Sequence, residues 1–235
     1  MHARLLHSRL NAALAKGFAL RSAKKLSDAC FVVDSGKAMS QKILTLVSPE
    51  EYLRRERQAE YKSEYLNGEI FAMSGASREH NLITTNIGAE LNRQLRGKPC
   101  EAYISDMRVK VRQNGLYTYP DVVVVCDEPE FEDQEVDTLL NPTVLIEVLS
   151  RSTERYDRIA KTSYYRTIDS LTEHLLVAQE EIRLEQYVKQ ADEQWLLSEY
   201  LTLDAVVDLP SIECTLKLSD VYDRITFEPK HRVNG

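Results

Sequence analysis

No stretch of this 235-residue sequence is apolar for the roughly 20 residues that a membrane-spanning helix needs. The longest candidates, residues 122–126 and 143–148, are only strand-sized, so no membrane span is expected. Cysteine is scarce as well. The four present, Cys30, Cys100, Cys126 and Cys214, are far apart, without a CxxC or a neighbouring Cys/His pair. That argues against a zinc site and gives no sign of a disulfide framework, so a reducing, cytoplasmic setting is expected. Positive charge is also lacking. The formal net charge is −7, and residues 1–38 hold seven Lys/Arg against only Asp28 and Asp34. Residues 39–235 therefore keep 23 basic and 35 acidic residues, a net of −12. Such a surface is a poor footprint for gripping long nucleic acid through many phosphate contacts. Internal repeats and low-complexity tracts are absent too.

What remains is an ordinary globular composition, 43% apolar and 29% charged, long enough for one substantial core. The basic, acid-poor stretch 1–38 reads as an N-terminal extension, disordered or upstream of a natural start at Met39. Residues 39–228 read as one domain and 229–235 as a tail.

The local signals inside that domain are specific. Ser48, Pro49, Glu50 and Glu51 form a helix start. Residues 64–73 read as a hairpin turning on Asn67–Gly68. Ser77 caps a helix over 78–95 with an apolar stripe of Ile83, Ile87, Leu91 and Leu95. Strands follow at 100–104 and 107–111, the second with Arg108, Lys110 and Arg112 on one face. Those three cations either track a phosphate backbone or form a solvated face balanced by the acidic stretch 127–137; the second reading is preferred. Residues 121–126 and 143–149 are apolar without alternation, as central strands covered on both faces must be. A helix from Ser152 or Thr153 to about Thr167, a meander of strands near 175–177, 182–188 and 195–200, and a short helix at 218–223 complete an α/β fold. A central mixed sheet flanked by helices, with an N-terminal hairpin and a C-terminal β-meander, is expected.

Two carboxylates stand out chemically. Glu147 is the only ionisable residue in its apolar strand, and Asp121 heads the other one. A buried carboxylate without a partner costs several kcal/mol or takes up a proton. Asp121 is either a strand-start residue bonded to the preceding loop or a metal ligand; Glu147 either forms a structural ion pair with a helix or is a metal ligand. Two carboxylates on adjacent central strands supply the oxygen donors that Mg2+ or Mn2+ accepts. On the next helix, Asp157, Lys161 and Tyr165 share one face. Lys161 there either reaches the carboxylates or makes an exposed pair with Asp157, and Tyr156, Tyr164 and Tyr165 read as helix packing.

The ordered set Glu64-Tyr-Leu-Asn-Gly68, His80, Tyr119-Pro-Asp121, Ile146-Glu-Val-Leu-Ser150 and Asp157-Arg-x-x-Lys161-x-x-x-Tyr165 resembles the Uma2 endonuclease family. That family belongs to the PD-(D/E)xK, restriction-endonuclease-like superfamily. The resemblance covers roughly residues 43–225. It implies a restriction-endonuclease-like fold, a metal-dependent hydrolase of DNA phosphodiesters, and Asp121 and Glu147 as ligands of Mg2+ or Mn2+. Lys161 would be a relocated catalytic lysine, because Leu149 occupies the usual position two residues beyond the glutamate. Glu64 is either a third carboxylate at the metal or an exposed strand-end acid; His80 is either a core histidine on the inward face of its helix or, as the resemblance implies, a residue that orients a ligand carboxylate or binds phosphate. Glu69, on the opposite side of its strand, is a lesser candidate. The family habit implies a homodimer. A nuclease fold kept as a binding or assembly module, or a hydrolase of small phosphate esters, stands as the alternative.

Overall fold

The computed structural model describes residues 46–227. The expected extension 1–38 and the tail 229–235 lie outside the described residues.

Helix α1 (Pro49–Glu56) begins where the sequence signals it: the Ser48 hydroxyl oxygen accepts the Glu51 N–H at 3.2 Å, and Pro49 opens the first turn. Its inner face buries Tyr52 and Leu53. Strands β1 (Ser63–Leu66) and β2 (Glu69–Ala72) form the expected hairpin. Asn67 and Gly68 both take positive φ, 51° and 91°, the conformation a tight two-residue hairpin turn requires. Helix α2 (Arg78–Gln94) starts at Ser77, whose hydroxyl oxygen accepts the His80 N–H at 3.1 Å. Its stripe of Ile83, Ile87 and Leu91 is wholly buried.

The strands that follow are β3 (Cys100–Ile104), β4 (Arg108–Val111), β5 (Leu116–Thr118), β6 (Val122–Cys126), β7 (Thr138–Leu139) and β8 (Val144–Leu149). Residues 154–165 make α3, in which helical turns Glu154–Tyr156 and Thr162–Tyr165 flank a π-helical turn, Asp157–Lys161. Strands β9 (Glu173–Ala178), β10 (Leu184–Lys189) and β11 (Trp195–Tyr200) form the expected meander. A hairpin, β12 (Val206–Leu209) and β13 (Cys214–Lys217), and the short α4 (Leu218–Val221) close the domain.

A six-stranded mixed sheet runs β11-β10-β9-β8-β6-β3, with β8 and β9 parallel and joined through α3. β6 and β8 are interior neighbours, as their continuous apolar runs predict. Val122, Val124, Val144, Ile146 and Val148 pack with the α2 stripe and with the β12–β13 hairpin. Val123, Val125 and Leu145 pack with Tyr165, Ile168 and Leu171, and with Val109, Val111, Leu116 and Leu139. Those last four residues belong to a second, five-stranded sheet ordered β2-β1-β5-β4-β7. Helices therefore flank the central sheet only in part, and the second sheet backs much of the α3 side. Three-residue β5 and two-residue β7 are too short to show a period in sequence.

The cysteine reading needs correction. Cys100 and Cys126 form a disulfide between β3 and β6, where they are register partners. A separation of 26 residues carries no disulfide signal; the antiparallel ladder brings the two sulfurs together. Among the described residues no helix is long and apolar enough to cross a membrane.

Candidate active site

Asp121 and Glu147 meet because of strand register. Val122 pairs with Ile146 across β6 and β8, so Asp121, one step earlier, faces the position of Glu147, one step later. Asp121 Oδ2 accepts the Val148 N–H at 2.8 Å. His80, in the first turn of α2, brings its Nε2 to 3.3 Å from the same oxygen. Burial works against charge on His80, but the hydrogen bond and charge of Asp121, with a contact to the Val148 backbone, outweigh it and raise the pKa.

Glu147 is buried, and its Oε1 accepts the Tyr165 hydroxyl proton at 2.6 Å. The Lys161 amine stands 3.3 Å from that oxygen, 2.8 Å from Glu64 Oε1 and 3.5 Å from Asp157 Oδ1. Thr118, wholly buried on β5, donates to Glu64 Oε1 at 2.6 Å. The π-helical turn presents both Asp157 and Lys161 inward. It is stitched at its end by the Thr162 hydroxyl, which donates to the Asp157 carbonyl five residues earlier at 2.9 Å. Such turns inside helices recur at functional sites.

The charge balance is uneven. Glu64, Glu147 and Asp157 surround one ammonium. Burial lifts the Glu147 carboxyl well above the usual carboxylate range, the charges of Asp157 and Asp121 add to that, and Lys161 opposes it. Burial raises Asp157 too, against the pull of Lys161. For Lys161, burial opposes the charged form, yet the surrounding acids win and hold it protonated. A buried cluster with more carboxyl groups than ammonium takes up either protons or a further cation.

Among the described residues no three His, Cys, Asp or Glu side chains are gathered into a ready-made metal cage. The carboxylates gather instead on Lys161. A magnesium-type ion asks for less, since one or two carboxylates with water and phosphate oxygens suffice. On that test the donors fit. Asp121 spends Oδ2 on the protein, Glu147 and Glu64 spend Oε1, and the second oxygen of each accepts no hydrogen bond from the described residues.

A model of the Uma2 family, described as "Putative restriction endonuclease", matches residues 49–219, most of the chain. The chain belongs to the Uma2 family. It is 41% identical over 167 residues to the uncharacterized protein sll1609 of Synechocystis sp., covering 71% of this chain and 93% of that protein. A second Synechocystis protein, the uncharacterized slr1290, is 34% identical over 181 residues, covering 77% of this chain and 94% of its own length. Among solved structures, a putative nuclease of DUF820 from Anabaena variabilis superposes with a TM-score of 0.57 at 20% identity. That likeness covers 74% of this chain and 96% of the other, and establishes a shared nuclease-like fold.

Of the residues singled out in this Uma2 sequence, Glu147, Lys161 and Glu64 come together, and Asp121 and His80 form an adjoining pair. Glu69 is exposed on β2 and joins neither group. Arg108, Lys110 and Arg112 are bound to the acidic stretch and its edge: Arg108 to Thr138 and Asp137, Lys110 to Glu132, Arg112 to Glu130. The acids balance them, as preferred above, but the face is not solvated throughout, because Arg108 is buried and also donates to the Tyr119 hydroxyl oxygen. Three participants were not expected. Asp157 contacts Lys161 from inside the site rather than at the surface. Tyr165 is a hydrogen-bond donor to Glu147 rather than packing alone. Thr118 gave no signal, because β5 is too short to read.

Proposed function

We propose that this Uma2 chain is a metal-dependent endonuclease that hydrolyses DNA phosphodiester bonds, using Mg2+ or Mn2+ held by Asp121 and Glu147, with Glu64 as a third carboxylate. The observation that carries the reading is the buried Lys161 amine within reach of Glu147, beside carboxylates that each keep one uncommitted oxygen. When bound, the cation polarises the phosphate and lowers the pKa of a water. Lys161 offsets negative charge as it develops on the phosphorus oxygens. His80 fixes the rotamer of Asp121 through Oδ2. Water attacks phosphorus in line and a sugar oxygen leaves. A short footprint shared by two copies of the chain reconciles this chemistry with the net acidity.

Two shallow surface depressions, of about 430 and 160 Å³, are lined by neither Glu147 nor Lys161. A second reading, a nuclease fold serving as a binding or assembly module, is favoured by the ammonium already clamped by three acids. Cleavage of plasmid and single-stranded DNA with Mg2+, with Mn2+ and with chelator separates the two. The wild type should cut only with metal, and Glu147→Ala should lose activity by about 10²-fold or more, as for loss of a key charge-stabilising group. Equal activity in the two proteins would sink the site assignment. A wild type inert with either metal would leave the module reading.

A further inference from the structure

Five polar groups form a closed circuit in the interior. From Lys161 Nζ it runs 2.8 Å to Glu64 Oε1, 2.6 Å to Thr118 Oγ1, 3.5 Å to the Tyr165 hydroxyl, 2.6 Å to Glu147 Oε1, and 3.3 Å back to Lys161; with the Thr118 proton on Glu64 and the Tyr165 proton on Glu147, the 3.5 Å step is a polar contact and not a hydrogen bond. Every contact to Glu147 in this circuit falls on one oxygen. Among the described residues, the Tyr165 hydroxyl proton is the only one that Glu147 accepts from a neutral side chain. The Tyr165 ring is wholly buried and has little freedom to turn. The His174 ring meets its edge at 5.2 Å and 88°, and His174 in turn stacks on Tyr187. Both His174 nitrogens are buried without a hydrogen-bond partner among the described residues, so this imidazole acts on Tyr165 as a wall and not as a polar partner.

We infer that Tyr165 is a positioning residue for Glu147: its hydroxyl anchors Oε1 in the circuit and thereby reserves Oε2 for a divalent cation. The inference rests on the metal-dependent reading above. A Glu147 without this anchor is free to swing either oxygen toward Lys161, and a cation then competes with the lysine for the same carboxylate. Groups that orient a metal ligand from behind commonly control affinity by 10- to 100-fold.

Binding of Mn2+ to the intact chain, followed by electron paramagnetic resonance of the free ion and by calorimetry, tests this. Wild type should bind, and Tyr165→Phe, which keeps the ring and removes the hydroxyl, should bind about tenfold or more weakly. Leu91→Ala, in the core on the α2 side, serves as a control for lost stability; it should lower the melting temperature while leaving Mn2+ affinity unchanged. Wild-type binding with equal affinity in Tyr165→Phe would overturn the inference and leave the metal reading intact. Parallel losses in Tyr165→Phe and Leu91→Ala would also overturn it, by tracing the effect to stability. Absence of Mn2+ binding by the wild type would remove both.

Discussion

At the scale of single residues, the site separates two ways of holding a carboxylate. Asp121 is tied by a backbone N–H and an imidazole, whereas Glu147 is tied by a phenol and an ammonium. The first pairing makes a pH prediction. The pKa of His80 in the fold is raised, so its contribution to stability is complete below the ordinary imidazole value near 6.5 and fades as pH climbs through the raised value. In metal-free protein, the melting-temperature gap between wild type and His80→Gln should therefore be widest near pH 6 and narrow towards pH 9. Scanning fluorimetry across that range checks it; a gap that widens with pH would contradict the assignment. Much of this chemistry was legible beforehand, because a charge inside an apolar strand such as 143–149 has few explanations. Tyr165 and Thr118 were not. A tyrosine on a helix face looks the same whether its hydroxyl meets solvent or a carboxylate, and only the packing of α3 on the sheets decides.

Among whole elements, those marked by a cap, a turn dipeptide or an apolar period were readable, and the brief strands β5 and β7 were not. α2 announced itself through Ser77 and its apolar stripe, and the β1–β2 turn through Asn67–Gly68. By contrast β5 and β7 are fixed by pairing with β1 and β4, partners that sequence alone does not supply. The β3–β6 disulfide belongs to the same class of long-range fact. Closing a loop of 26 residues, it should contribute about 3 kcal/mol by restricting the unfolded chain. Reduction, or joint substitution of Cys100 and Cys126 by serine, should lower the urea midpoint accordingly. Peptide mapping without reductant should recover the linked pair; two free thiols in the native protein would refute it.

For the molecule as a whole, charge is the informative quantity. The basic row Arg108, Lys110 and Arg112 is paired with the acidic stretch, so those three cations are not left to grip phosphates. With about two phosphate contacts, raising salt from about 50 to about 200 mM should weaken DNA binding by only about tenfold. Fluorescence anisotropy in a salt series measures this, and a slope equivalent to six or more released counterions would show that a basic surface has been overlooked. The polar circuit has one more consequence at this scale. Glu64 and Thr118 stand on the five-stranded sheet, Glu147 on the six-stranded one, and Lys161 and Tyr165 on the helix that connects β8 to β9. No local segment contains the site, and no hairpin or helix folding alone can assemble it. Whatever chemistry it performs is withheld from a nascent, truncated or half-folded chain and becomes available only when the two sheets have closed on each other.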